Sequence, residues 1–190
     1  PVDNITRAIK KGTGELEGVH YDEVTYEGYG PGGAAIFLEA MTDNKNRTVS
    51  EIRAALGKAG GNLGENGCVG WMFEQKGFIT VKTEAKGEDD LMELAIDAGA
   101  DDMQTVEGHY EITTAMENFE TVRKALEEAG VPMDTAEITR IPQNTITIDE
   151  KKGKALLKLM DILDDHDDIQ KAYSNFDIPD DVMAAIIENS

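Results

Sequence analysis

Three helix-length segments of this 190-residue chain close on the same pair, Ala-Gly, at Gly60, Gly99 and Gly130, and each pair is followed by a strand-like run. A glycine just past a helix adopts the left-handed conformation that lets the last carbonyls find donors. Repeated three times, this punctuation dictates a chain that alternates helices with strands, an α+β fold.

The helices announce their starts as well. Thr48-Val-Ser-Glu51, Thr114-Ala-Met-Glu117 and Thr147-Ile-Asp-Glu150 fit the S/T-x-x-E box that satisfies free N–H groups in a first turn, and a fourth helix near Asp89–Ala98 opens with acids alone. Apolar residues recur at helical spacing in each: Val49, Ile52, Leu56; Leu91, Leu94, Ala98; Phe119, Val122, Leu126; and Leu156, Leu159, Leu163. Between them lie the strand candidates YDEVTYE, AAIFLEAM, CVGWMFE, FITVK, MQTVE, HYEIT, AEITRI and IQKAY. In CVGWMFE, Val69, Trp71 and Phe73 would share one face. AAIFLEAM is apolar on both sides, as a central strand must be.

Read in order, residues 78–141 give β-α-β-β-α-β, the split-βαβ pattern of a ferredoxin-like sandwich. The parts before and after it could complete a second sheet if this unit is an insertion. The expected fold is therefore α+β with two α/β-sandwich domains, a central one over 19–77 and 142–190 and an inserted one over 78–141. Ahead of them, within residues 1–18, DNITRAIKKG reads as the end of a helix capped by Asp3 and stopped by Gly12, too short to stand alone in water and so expected to dock on something further.

Charge limits the partners. The chain carries 18 Lys+Arg against 38 Asp+Glu, a net of -20, but the imbalance is uneven: the first 60 residues hold seven basic and nine acidic side chains. Such a body repels polyanions, so a nucleic-acid contact belongs near the N-terminal end. No apolar run approaches the ~18 residues of a membrane span, and the expected setting is the cytoplasm with no membrane partner. The one cysteine, Cys68, stands in an apolar stretch and reads as an inert thiol.

Catalytic and metal motifs are missing. His20, His109 and His166 stand singly, without a second ligand at helical or CxxC spacing, and read as surface histidines. The run Asp164-Asp165-His166-Asp167-Asp168 lacks the alternation and glycine of an EF-hand and reads as the solvated end of a helix. No metal, cofactor or catalytic residue is expected, and the chain reads as a non-enzyme. YEGYGPGG, residues 26–33, is glycine-rich like a phosphate loop, yet no Lys-Ser/Thr follows it and a strand does, so it reads as a hairpin turn that could present Tyr29, Gly30 and Pro31 to a partner.

The loop DNKNRT, 43–48, leads into a helix that continues with Arg53 and Lys58. Arg, Asn and the free N–H groups of a helix start suit phosphate and sugar contacts. The plainer alternative is that Asn and Asp make turns there while Arg47 pairs with a carboxylate.

Several long segments together, DNITRAIKKGTGE, TYEGYGPGG, TDNKNRTVSEIR, GGNLGENGCVGWMFEQKG, IPQNTI and LMDILDDHDDIQKAYSNFDI, resemble the YebC/PmpR family over nearly the whole chain. The resemblance implies a DNA-binding transcriptional regulator of the bacterial cytoplasm. It also brings in a ribosome-associated alternative, since a mitochondrial relative activates translation of cytochrome oxidase subunit I and bacterial relatives are linked to translation of proline-rich stretches. It implies three domains, a helical first one and a third inserted into the second, and a chain that starts at the last helix of the first, so that residues 1–18 are a remnant of that helical domain. Nucleic acid, DNA or RNA on the ribosome, is then the expected partner, met by Arg7, Lys10, Lys11, Lys45, Arg47, Arg53 and Lys58. A small-molecule-binding regulatory module is the rival, resting on fold analogy alone.

Overall fold

Residues 19–190 are described by a computed structural model, so the helix expected at DNITRAIKKG, with Arg7, Lys10 and Lys11, lies outside the described residues. The elements in chain order are β1 (Asp22–Tyr29), β2 (Ala35–Thr42), α1 (Lys45–Lys58), β3 (Asn62–Leu63), β4 (Phe73–Lys82), α2 (Glu88–Ala98), β5 (Asp102–Val106), β6 (His109–Ala115), α3 (Phe119–Glu128), β7 (Thr135–Pro142), β8 (Ile146–Thr147), α4 (Glu150–Asp164), β9 (Ile169–Ser174), β10 (Phe176–Asp177) and α5 (Asp180–Glu188). The chain divides into two compact units, one up to residue 72 together with 142–190, the other Phe73–Ile141. The result is a mixed α+β fold.

In the first unit four strands form a sheet in the order β3-β1-β2-β9. β1 and β2 are an antiparallel hairpin in register from Asp22↔Thr42 to Tyr29↔Ala35. β2 is the central strand that its two-sided apolar pattern requires, buried along nearly its whole length. Ile36 and Leu38 point to one face, where α1 supplies Ile52 and Leu56 and α4 supplies Leu156, Leu159 and Leu163. These seven side chains are almost fully buried, and each contributes roughly 1.5–3 kcal/mol. β8 and β10 pair in parallel beside this layer. Gly153 inside α4 allows Ile178 and Ile186 to come close; a Cβ there would stand 3.1 Å from the Ile186 Cδ1.

The second unit has the strand order β5-β6-β4-β7, and in chain order it runs β4-α2-β5-β6-α3-β7. This is an antiparallel split-βαβ sandwich, whose first strand starts at Phe73 rather than at 78. α2 and α3 cover the sheet, burying Leu91, Val122 and Leu126 against Ile79, Val81 and Ile112.

The Ala-Gly stops hold: Gly60, Gly99 and Gly130 have φ of 88°, 113° and 72°. The capping boxes do not. α1 starts earlier than expected, with Asn44 as its cap accepting from the Arg47 N–H, so Thr48 is a buried interior residue. Thr114 belongs to β6, where its hydroxyl donates to the Ala115 carbonyl. Asp149, not Thr147, caps α4 by accepting from the Lys152 N–H. Nor is CVGWMFE a single strand: Gly70–Met72 form one 3-10 turn, β4 begins at Phe73, and Trp71 is 67% exposed while Val69 and Phe73 are buried.

Candidate nucleic-acid interface

The two flanks of α1 have opposite chemistry. On one, Arg47 Nη2 donates to Asp43 Oδ1 at 2.9 Å and to Asp168 Oδ2 at 3.0 Å. Asp168 is only 3% exposed, and its Oδ2 also accepts from the Thr48 hydroxyl at 2.8 Å; that hydroxyl lies 2.7 Å from the Thr42 hydroxyl. The hydrogen bond to Asp168, and then that to Asp43, hold the Arg47 guanidinium even more firmly protonated than usual. His166 Nε2 sits 2.6 Å from Glu51 Oε2, while its Nδ1 accepts from the Asp168 N–H at 3.1 Å. The cleft these groups line also holds Tyr21, Asp165 and Asp167. It is an acidic surface whose one guanidinium is already doubly engaged, so a phosphate meets repulsion there.

The other flank carries Lys45, Asn46 and Arg53, with one exposed carboxylate, Glu65, in the adjoining loop Leu63–Asn66 and the β1 residues Val24–Tyr26 alongside. Lys45 reaches Asp22 only at 3.8 Å, with its side chain 59% exposed. Such a contact is weak in water. Arg53 is exposed and makes no ion pair among the described residues. Lys58 stands apart, in the last turn of α1 beside an apolar groove formed with Ala155, Leu159 and Ile162 of α4, where Lys158 also lies. Of the four described cations expected to act together, only Lys45 and Arg53 share a surface; Arg47 follows the plainer alternative and pairs with carboxylates.

The glycine-rich stretch at 26–33 is a hairpin turn. The Gly30 N–H donates to the Ala34 carbonyl at 2.8 Å and the Gly33 N–H to the Gly30 carbonyl at 3.1 Å, so these amides are not free to cradle a phosphate. Gly30 and Pro31 are buried, and Tyr29 is half-buried with its hydroxyl 3.5 Å from the Cys68 carbonyl. A partner approaching this turn would meet the edge of Tyr29 rather than Pro31.

The residues that sequence reasoning missed lie around Glu27. Its carboxylate is 5% exposed and accepts backbone N–H groups from Gly67, Val69 and Gly70. The GGNLGENGCVGW segment thereby wraps over an acid 40 or more residues earlier in the chain. Close approach explains its glycines: a Cβ on Gly61 would lie 2.0 Å from the Tyr29 carbonyl oxygen, and one on Gly70 2.7 Å from Glu27 Oε1. The loop ends in Trp71, whose Nε1–H donates to the Cys68 carbonyl at 3.1 Å. Cys68 itself is half-buried, and burial, then the nearby Glu27, pushes its thiol up, as an inert cysteine requires.

Two sequence readings of the acidic run change. Asp168 is a buried hub, not part of a solvated helix end, and the His166 side chain is 18% exposed and bonded, not a surface histidine. Glu51, His166 and Asp168 bring three ligand atoms within 4.8 Å of one another. The Arg47 guanidinium already occupies Asp168 Oδ2, which opposes a cation in the same place.

The family profile described as the TACO1/YebC second and third domain matches residues 21–176. The chain belongs to the TACO1/YebC family. Relatives called "probable transcriptional regulatory protein" include those of Desulfosudis oleivorans, 54% identical over 97% of this chain and 75% of that protein, and Natranaerobius thermophilus, 55% identical over 96% and 74%. A crystal structure of a conserved hypothetical protein from Aquifex aeolicus superposes with a TM-score of 0.80 at 48% identity, covering 95% of this chain and 74% of that one. In this TACO1/YebC chain no described helix is long and apolar enough to cross a membrane.

Proposed function

We propose that the chain is a DNA-binding transcriptional regulator of the cytoplasm, without catalysis of its own, that grips phosphate through the Lys45–Arg53 flank of α1. The single observation that supports this reading is the segregation of charge across α1. Carboxylates collect on the Asp168 flank, whereas in the opposite groove Lys45 and Arg53 outnumber the one lining carboxylate, Glu65. In a chain of net charge -20, such a division orients the protein on a polyanion and holds its acidic body away. The regulatory role accords with the names of relatives that share more than half of its sequence.

Reversing both charges, Lys45→Glu with Arg53→Glu, tests it. Two lost phosphate contacts lower the slope of log K against log salt by about 2 on duplex DNA. An unchanged affinity and slope would remove this flank from the interface.

A further inference from the structure

Trp71 is the one tryptophan of the chain, and its placement is unusual for so large an apolar side chain. It is 67% exposed, yet it is not loosely held. Its indole N–H is committed to the Cys68 carbonyl, the acceptor that the Tyr29 hydroxyl also approaches. The 3-10 turn that carries it, Gly70–Met72, is fixed at its start, where the buried Glu27 accepts from the amides of Val69 and Gly70. With its only polar atom satisfied from within, the ring has nothing left to offer but its π surface.

We propose that Trp71 is a stacking platform for an unpaired base of single-stranded nucleic acid. An aromatic face held in advance stacks any base at little ordering cost, and such platforms operate beside a cationic track that follows the backbone. The loop joins the two parts here: its beginning, Leu63–Asn66, lines the groove into which α1 brings Lys45 and Arg53 beside the loop's own Glu65, and its end carries the indole. With Lys45 and Arg53 against the single carboxylate of Glu65, the groove is net positive, which favours a nucleic acid over an apolar or acidic peptide. This inference rests on the proposed phosphate-binding flank and adds to it a preference for unpaired strands.

As the one indole of the chain, Trp71 is its own reporter. The full chain is titrated at low salt with 15-mers of deoxythymidine and of uridine and with a duplex of equal length, following indole emission and, in parallel, anisotropy of labelled oligomers. Quenching by a single strand, with a clearly smaller effect of the duplex, is expected, and the comparison of the two 15-mers identifies which sugar is preferred. Trp71→Phe keeps affinity within about threefold, whereas Trp71→Ala loses about tenfold or more, as one stacked base should; unchanged thermal unfolding confirms that the exposed side chain is not needed for folding. If Trp71→Ala binds the single strands as tightly as the parent while Arg53→Glu weakens them, the stacking platform is wrong and the cationic flank stands. If Arg53→Glu also leaves binding intact, the flank falls with it.

Discussion

Replacing Glu27 by Gln tests the loop that carries Trp71. The Glu27 carboxylate accepts three backbone N–H groups, one on Oε2 from Gly67 and two on Oε1 from Val69 and Gly70. A glutamine amide is nearly isosteric but has only one acceptor oxygen, so either orientation turns an NH2 group toward a backbone donor. With the amide oxygen toward Val69 and Gly70, the bond to the exposed Gly67 N–H is lost, and the remaining bonds lose their charge assistance, together about 1–3 kcal/mol. Against this, removing a buried charge relieves desolvation. The balance is a loss of about 1–2 kcal/mol in the unit containing residues 19–72. Since the chain has two units, whole-chain unfolding need not be two-state; indole emission from Trp71 in urea follows the relevant unit, and far-UV circular dichroism follows both. An early indole transition with an unshifted second phase is the expected result. A change below about 0.5 kcal/mol would refute the claim that Glu27 holds the loop.

Arg47→Ala removes the guanidinium from the buried Asp168; stability falls by about 2 kcal/mol in urea melts, but DNA affinity of the folded protein stays within about twofold, the opposite of Arg53→Glu. Asp164 ends α4, where burial and then Asp161 and Asp165 raise its pKa above the ordinary 3.8. A folded carboxyl whose pKa is raised destabilises above that pKa, and the penalty disappears as pH falls through it toward the unfolded value. Asp164→Asn is therefore more stable than the parent at pH 7, and thermal melts show the difference shrinking on acidification into the carboxylate range.

The sequence displayed best what depends on near neighbours. Ala-Gly stops are local, and all three glycines have the positive φ expected of them. The split-βαβ order was legible because each of its elements is long enough to show a period. The two-residue strands β3, β8 and β10 are too short to show one. The S/T-x-x-E boxes misled for a physical reason: Asn44 and Asp149 offer the same acceptor chemistry a few residues away, and Thr48 is drawn inward by Asp168, 120 residues distant. Likewise CVGWMFE alternates like a strand, but the carboxylate that folds it into a loop stands at Glu27. The basic residues of α1 were legible as a list, whereas their division between flanks depends on where Asp168 and Glu51 lie in three dimensions.

Lysine-reactivity footprinting of the full chain, with and without saturating DNA, reads the proposed interface directly. Bound DNA is expected to shield Lys45 from acylation while Lys58 and Lys158, beside the apolar groove, and Lys171 on β9 stay as reactive as in the free protein. Full reactivity of Lys45 in the complex, with shielding of Lys58 and Lys158 instead, would contradict it and move the contact to the far end of α1.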